Sequence, residues 1–229
     1  MLKLFYAPDN ASLVLRLAME EASTPYETVL VDRARGAQSS PEYLALNPTG
    51  KIPTLITPEG PQAETAACLL WLADRHPEAG LGPPPGASRR GAFLRWLFFL
   101  SNTVHADLIR IFYASRFVPP ESVDAHHAMM SGHLMAHLDI LEAAIRDEPD
   151  LFAPPSALAL YLGPMLRWAA LYPVDAARWL DLDRYPLLKT MLLLLEARAS
   201  VREAIEAEGL GEAPFTDPKP PTPPEGTAI

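Results

Sequence analysis

The sequence predicts an α/β domain at residues 1–78 followed by an all-α domain at residues 88–210. In the first domain, short runs rich in β-branched and aromatic residues alternate with stretches of helical spacing. In the second domain the spacing of apolar residues is helical throughout. The two are separated by residues 79–87, whose proline and glycine content is typical of a linker.

The first domain is predicted to have the element order β-α-β-α-β-β-α, which implies a small mixed sheet with helices packed on it. Strands are predicted at residues 2–6, 26–31 and 53–57, and the turn residues 58–61 lead into one more strand. Helices are predicted at residues 12–21, 41–46 and 64–76.

The second domain is predicted to contain helices at residues 88–117, 121–147, 156–171, 187–198 and 201–208. Proline or polar residues separate these helices. Residues 211–229 form a tail that is rich in proline. Because proline lacks an N–H group and fixes φ, we expect the tail to lie extended over the surface rather than form a helix or a central strand.

Composition and charge exclude several classes of protein. The chain has 229 residues and a net charge of −9, which argues against nucleic acid because phosphate binding needs a basic patch. Charged residues interrupt its apolar helical runs at lengths well short of the ~20 residues needed to span a bilayer. Its first residues resemble a strand rather than a signal peptide. The single cysteine suits a reducing compartment. We therefore expect a cytoplasmic protein that binds neither nucleic acid nor a membrane.

Three local motifs stand out in the first domain. Residues 47–53 have the sequence Asn-Pro-Thr-Gly-Lys-Ile-Pro, and residues 6–13 have the sequence Tyr-Ala-Pro-Asp-Asn-Ala-Ser-Leu before the first helix. Glu64 and Thr65 open a later helix, where free N–H groups and the helix dipole favour a carboxylate. Together with the domain order, these motifs resemble the cytosolic glutathione transferase family over nearly the whole chain. Residues 6–13 are similar to a turn of its bacterial beta class, Tyr-x-Pro-Gly-Ala-Cys-Ser-Leu.

The resemblance implies the glutathione transferase fold, in which a thioredoxin-like N-terminal domain binds glutathione. The family's proline at the position of Pro53 is cis, which turns the main chain of Ile52 outward to pair with the cysteinyl backbone of glutathione. Glu64 is then expected to hold the α-ammonium group and Thr65 the carboxylate of the γ-glutamyl group. Taken alone, Pro53 begins a strand and Thr65 caps a helix. The implied glutathione-binding residues are Lys51, Ile52, Pro53, Glu64 and Thr65.

The chain departs from the beta-class turn at Ala11, which stands where that class has its cysteine. A mixed disulfide with glutathione is therefore not expected, and Cys68 lies in an apolar helical run that is typical of a core residue. The catalytic candidates are the Ser12 hydroxyl and the Asn10 amide, because either can donate a hydrogen bond to a thiolate. The alternative is that Ser12 only caps the helix.

A second-substrate site is expected in the helical domain. Residues 96–108 resemble the beta-class helix that carries a histidine over the active site, here His105. The alternative is a histidine that belongs to the core or the surface. The other candidates are Asn102, Ile109 and Tyr113, at compatible spacing on one helical face, and Tyr6, which is expected to form a wall.

The resemblance implies a transferase that uses glutathione as co-substrate and activates its thiolate for attack on a small electrophile or a peroxide. A homodimer and a role in detoxification belong to the same expectation. Two alternatives stay open: a non-catalytic binding or regulatory protein of the same fold, and a glutathione-dependent disulfide reductase. No metal is expected; His126, His133 and His137 share one stripe of a helix, which we interpret as a solvated or interface surface.

Overall fold

A four-stranded mixed sheet forms the N-terminal part of the protein. In the computed structural model, which describes residues 1–174 and 178–228, its strands are β1 (Leu2–Tyr6), β2 (Tyr26–Leu30), β3 (Thr54–Thr57) and β4 (Gly60–Ala63). The strand order is β2-β1-β3-β4, in which β1 is parallel to β2 and antiparallel to β3. Every second residue of β1 is buried, as expected where one face of a strand covers a core.

Helices make up the remainder of the regular structure. Those of the N-terminal part are α1 (Ser12–Glu21), α2 (Pro41–Leu46) and α3 (Thr65–Arg75). The C-terminal part contains α4 (Arg90–Phe99), a π-helical segment (Leu100–His105), α5 (Ala106–Phe112), α6 (Val123–Asp147), α7 (Pro149–Phe152), α8 (Ala157–Leu171), α9 (Pro186–Glu196) and α10 (Ala199–Glu208).

Helix α8 occupies the centre of the molecule. Almost all of its residues are buried, which agrees with a sequence that is apolar on every side of the helix. It packs against α4 and α9 of the helical part and against α1 and α3 of the sheet part, and α1 also contacts α10. The buried apolar side chains of the two parts consequently form one continuous cluster.

The predicted fold class is confirmed: a thioredoxin-like α/β part precedes an all-helical part. The largest difference concerns the helix predicted at residues 88–117, which begins at Arg90, changes to π-helical hydrogen bonding and ends at Phe112. The short helix α7 was not predicted. No helix among the described residues is long and apolar enough to cross a membrane. The division into domains at residues 79–87 stays a prediction.

The described part of the tail contains neither helix nor strand, and most of it lies at the surface, but Pro214 and Phe215 are buried in the helical part. Phe215 belongs to the core, and the Glu196 carboxylate accepts the N–H groups of Phe215 and Thr216 at 2.7 and 2.8 Å. Arg167 of α8 donates to the carbonyl oxygens of Pro214 and Lys219 at 3.1 and 2.9 Å. The tail lacks the main-chain hydrogen bonds of a helix or a sheet, so side chains of the helical part pair with its main-chain groups instead.

Candidate functional site

The peptide bond between Ile52 and Pro53 is cis, as the resemblance implies. The carbonyl oxygen of Lys51 accepts hydrogen bonds from the Tyr43 hydroxyl at 2.6 Å and from the Asn47 side-chain amide at 2.8 Å. These two bonds fix the chain just before Ile52. Among the described residues, neither the N–H nor the C=O of Ile52 has a hydrogen-bond partner. A peptide ligand can therefore pair with Ile52 as an added strand.

Glu64 has a positive φ of 70°, with ψ 110°, although it is not glycine. Such a conformation costs on the order of 1–3 kcal/mol and is found preferentially at functional sites. Glu64 is also the N-cap residue of α3, so Thr65 takes the first helical position and not the cap position. No side chain caps α3. Its first N–H groups are therefore available to an acidic ligand.

Asp9, in the turn between β1 and α1, is a buried acceptor of three hydrogen bonds from the helical part. The donors are Arg167 Nε at 2.9 Å, Trp168 Nε1 at 2.9 Å and the Tyr172 hydroxyl at 3.0 Å. Arg167 is itself fully buried, so the two charges form an ion pair inside the protein. This network fastens the turn to helix α8.

A second buried ion pair supports the same turn. The N–H of Asp9 donates to the Glu208 carboxylate at 2.8 Å, and Arg16 Nε donates to the other oxygen of Glu208 at 2.7 Å. Asp9 was not singled out from the sequence. The available signal was that it stands at a glycine position of the beta-class turn, which agrees with its positive φ of 50°.

The two catalytic candidates of this turn have different partners. The Ser12 hydroxyl is fully buried and donates to the carbonyl oxygen of Ala7 at 3.1 Å. Because a hydroxyl has one proton, Ser12 has none left for a ligand sulfur. It does not cap the helix either, as the alternative expected, because Ala11 is the N-cap residue of α1 and no side chain caps this helix. Ser12 instead holds the turn through Ala7. Asn10 Oδ1 accepts the N–H of Ala11 at 2.8 Å, and its Nδ2 has no partner among the described residues. The Asn10 amide therefore keeps its donor for a ligand.

Tyr6 is buried at the end of β1, and its hydroxyl donates to the Glu225 carboxylate of the tail. Burial raises the pKa of Tyr6 far above its usual range, and Glu225 adds to this rise. The Arg16 guanidinium lies 5.0 Å from the centre of the Tyr6 ring. Since its proton is already used by Glu225, Tyr6 is suited to be a wall of the site rather than a hydrogen-bond donor to a thiolate.

His105 is the last residue of the π-helical segment and faces two aromatic residues of α8. Its Nδ1 lies 2.8 Å from the Tyr161 hydroxyl, and its ring centre lies 5.7 Å from those of Tyr161 and Trp168. Burial lowers the pKa of His105 to about 4, and the positive charge of Lys51 contributes to the decrease. His105 is therefore uncharged at neutral pH.

The other second-substrate candidates do not share one α-helical face. A π-helical turn holds more residues than an α-helical turn, so Asn102 no longer has α-helical spacing relative to His105, and its side chain is exposed. Ile109 lies within α5 and is partly buried. Tyr113 follows the end of α5, and its hydroxyl accepts a hydrogen bond from Arg33 Nη2 at 3.2 Å.

Two histidines of the α6 stripe, His126 and His137, make hydrogen bonds within the protein, whereas His133 is exposed. His137 Nε2 lies 3.0 Å from Asp107 Oδ2, and His126 Nε2 lies 3.2 Å from the carbonyl oxygen of Arg110. Within the part of the chain that the structure describes, no group of three or more His, Cys, Asp and Glu residues is arranged to hold a metal ion.

Known proteins resemble this chain in both fold and sequence. A family model described as the N-terminal domain of glutathione S-transferase matches residues 11–75. The glutathione S-transferase GST-4.5 of Xanthomonas campestris pv. campestris is 29% identical over 211 residues, which cover 91% of this chain and 100% of that protein.

Two solved structures extend the comparison. A glutathione transferase homologue from Sulfitobacter with bound glutathione is 30% identical, with a TM-score of 0.76 over 89% of this chain and 96% of that chain. A bacterial beta-class glutathione S-transferase of Sphingomonas chungbukensis is 29% identical, with a TM-score of 0.74 over 90% of this chain and 98% of that chain. The chain belongs to the glutathione transferase family.

Proposed function

We propose that this protein is a glutathione transferase that binds glutathione against Ile52 and the start of α3. The observation that carries the proposal is the main chain of Ile52, which is unpaired among the described residues, beside a helix that no side chain caps. Backbone pairing suits the cysteinyl residue of glutathione, and a helix N-terminus suits the γ-glutamyl carboxylate. Glutathione bound in the Sulfitobacter homologue supports the proposal.

Within this site, Thr65 and the first N–H groups of α3 hold the γ-glutamyl carboxylate, and Glu64 holds the α-ammonium group. The exposed side chain of Lys51 adds a positive charge at the same edge. Glutathione carries two carboxylates and one ammonium group, so this arrangement pairs opposite charges at the γ-glutamyl end.

We further propose that thiol activation relies on Asn10 and the start of α1, since Ala11 offers no thiol where the beta class has its cysteine. A free thiol has a pKa of about 8.5, and a shift of two units corresponds to about 2.7 kcal/mol. One hydrogen bond contributes about 1 kcal/mol, and the helix dipole adds to it. Ser12 positions the turn through Ala7 and does not contact the sulfur.

The reaction follows from this thiolate. The glutathione thiol loses its proton to solvent, and the sulfur lone pair forms a C–S bond with an electrophilic carbon. In a substitution the leaving group departs with the bonding electron pair; in an addition the substrate takes up a proton from water. His105, which is uncharged, and Tyr113 are proposed to contact the electrophile.

A homodimer, a cytoplasmic location and a role in detoxification are also proposed. The dimer is supported by Phe98 of α4, whose side chain is half exposed, and by Trp71 of α3, which is only partly buried. We propose that the dimer interface covers these two side chains.

Calorimetry with two ligands tests the proposed function. Glutathione should bind, and cysteinylglycine, which lacks the γ-glutamyl group, should bind at least about tenfold more weakly, since tenfold corresponds to about 1.4 kcal/mol of lost charge pairing. Equal affinities, or no binding of glutathione, would contradict the proposal. Turnover of electrophiles, hydroperoxides and disulfides then identifies the class of second substrate.

A further inference from the structure

The end of the tail, residues 222–228, returns from the helical part to the turn between β1 and α1. It begins where the N–H of Thr222 donates to the carbonyl oxygen of Gly209 at 2.9 Å. Gly209 has φ 64°, and a Cβ atom there would lie 2.1 Å from the Thr222 oxygen. Only glycine permits the two backbones to approach so closely. Gly209 therefore determines where Thr222 lies.

Glu225 and Gly226 then contact the N-terminal part directly. The Glu225 carboxylate accepts the hydroxyl proton of Tyr6. Gly226 has φ 72°, and a Cβ atom there would lie 2.7 Å from Leu30 Cδ1 and 3.3 Å from Pro8 Cδ. The chain at Gly226 is consequently wedged against the turn that leads to Asn10.

Beyond Gly226, the Arg33 side chain links the tail to the end of α5. Arg33, which follows β2, donates one guanidinium nitrogen to the carbonyl oxygen of Ala228 and another to the Tyr113 hydroxyl. The positive charge of Arg33 also lowers the pKa of Tyr172, against a larger rise caused by burial. The Tyr172 ring packs edge-on against Phe112, with the ring centres 6.0 Å apart. Residues 225–228 thus contact the turn directly and are linked through Arg33 to the end of α5.

The two halves of the tail are held differently. The first half is anchored in the core by Phe215 and by the hydrogen bonds of Pro214 and Lys219 to the fully buried Arg167. The second half is held mainly at its surface, through part-buried contacts of Glu225 and Ala228. A ligand that displaces residues 225–228 therefore breaks only these surface contacts and leaves the first half in place.

We propose that residues 222–228 form the outer wall of the second-substrate site and restrict the electrophile to small groups. This inference rests on the proposed function, because the groups it restricts are those attached to the sulfur of glutathione. A small substituent on the sulfur fits beneath the wall. A long apolar substituent must displace residues 225–228 and break their contacts with Tyr6 and Arg33.

Binding of S-methylglutathione and S-hexylglutathione tests this wall by calorimetry. Deleting residues 221–229 removes the wall and keeps Phe215 and Lys219. The deletion should strengthen binding of S-hexylglutathione about tenfold and change binding of S-methylglutathione less than about twofold, since only the long chain has to displace residues 225–228 in the full-length protein. Equal changes for the two ligands, or no change for either, would overturn the inference.

Point substitutions test the same wall in the full-length chain. Gly226→Val places a side chain against Leu30 and Pro8 and should reproduce the effect of the deletion. Gly211→Val is the matched control, because Gly211 also has a positive φ of 85° but no atom lies within 4 Å of its Cβ position. An effect of the same size in both variants would reduce the result to backbone strain and overturn the inference.

Glutathione itself separates the two proposals. If glutathione binds and the preference between the S-methyl and S-hexyl ligands does not respond to the deletion, the wall is refuted and the proposed function stands. If glutathione binds neither the wild type nor the deletion variant, the proposed function fails, and the wall fails with it.

Discussion

At the scale of single residues, Asp9 shows how a buried charge can set the geometry of the site. Its carboxylate accepts hydrogen bonds from Arg167, Trp168 and Tyr172, and Arg167 is fully buried. Removing one partner of a buried ion pair costs about 3–5 kcal/mol, because the other charge stays buried without compensation. We therefore expect Asp9→Asn to lower the free energy of unfolding in urea by about 3 kcal/mol.

Asp183→Asn is the control for this prediction, because its ion pair with Lys189 is exposed. Exposed pairs contribute about 0–1 kcal/mol. Equal destabilisation by the two substitutions would mean that the buried network does not hold the turn.

Glu64 and Thr65 make the second residue-scale prediction. Glu64→Ala and Thr65→Ala should each weaken glutathione affinity by about 1–3 kcal/mol, because charged groups of the ligand lose their partners. The matched control is Glu59→Ala, an exposed carboxylate in the turn between β3 and β4, which should leave affinity unchanged. Unchanged affinity in all three variants, measured by calorimetry, would reduce this motif to a helix start.

Residue types at the site could be predicted from the sequence, but their partners could not. The motif around Ile52 is contiguous, so it is recognisable in the sequence. Asp9 and Arg167 are 158 positions apart, and only the packing of α8 against the turn brings them together. The partner of Ser12 could not be predicted either. Its hydroxyl donates to the carbonyl oxygen of Ala7 and accepts the N–H of Ala7.

At the scale of elements, hydrophobic periodicity predicted α1 and α2 with the bounds that the structure has, since their apolar spacing is regular and their ends carry clear signals. It could not predict the π-helical segment Leu100–His105. Periodicity analysis assumes a constant number of residues per turn, and a single wider turn leaves the apolar pattern on both sides intact. His105 lies in the helical segment in which it was predicted. Asn102 was predicted to share the α-helical face of His105, but the π-helical turn changes its direction relative to His105.

The position of His105 at the end of this segment predicts a pH effect on stability. Burial lowers the pKa of His105 from 6.5 to about 4, so between these values the unfolded chain binds a proton that the folded protein does not. Stability therefore falls as pH falls through this window. From pH 7 to pH 5, His105 should account for a loss of about 2 kcal/mol.

The check is urea denaturation of the wild type and His105→Gln at both pH values. The glutamine variant keeps a polar group near Tyr161 but cannot titrate, so it should lose about 2 kcal/mol less than the wild type. Identical losses in the two proteins would show that His105 is not buried in its neutral form.

At the scale of the whole molecule, the order of elements was predictable because the sheet part and the helical part have different periodicities. Two features were not. The sharing of one core by both parts depends on α8, and the burial of Phe215 in the tail depends on a site formed by α8 and α9. A proline-rich composition excludes a helix, but it does not say whether the segment is packed.

The proposed homodimer gives a prediction at this scale. Phe98→Glu should convert a dimer to a monomer at micromolar concentration, because a charge would be buried at the apolar interface. Phe117→Glu is the matched control, since the Phe117 side chain is equally exposed but lies after α5. Sedimentation velocity distinguishes the outcomes: a monomeric wild type, or dissociation by both variants, would contradict the proposed interface.

The most direct test of the central claim is the pKa of the glutathione thiol when it is bound to this protein, followed by thiolate absorbance. We predict a pKa about two units below the free value of about 8.5, and a rise of about one unit in Asn10→Ala at unchanged glutathione occupancy. A lowered pKa that persists in Asn10→Ala would assign activation to the backbone at the start of α1. A bound thiol with the pKa of free glutathione in the wild type would contradict the proposal that this protein activates glutathione.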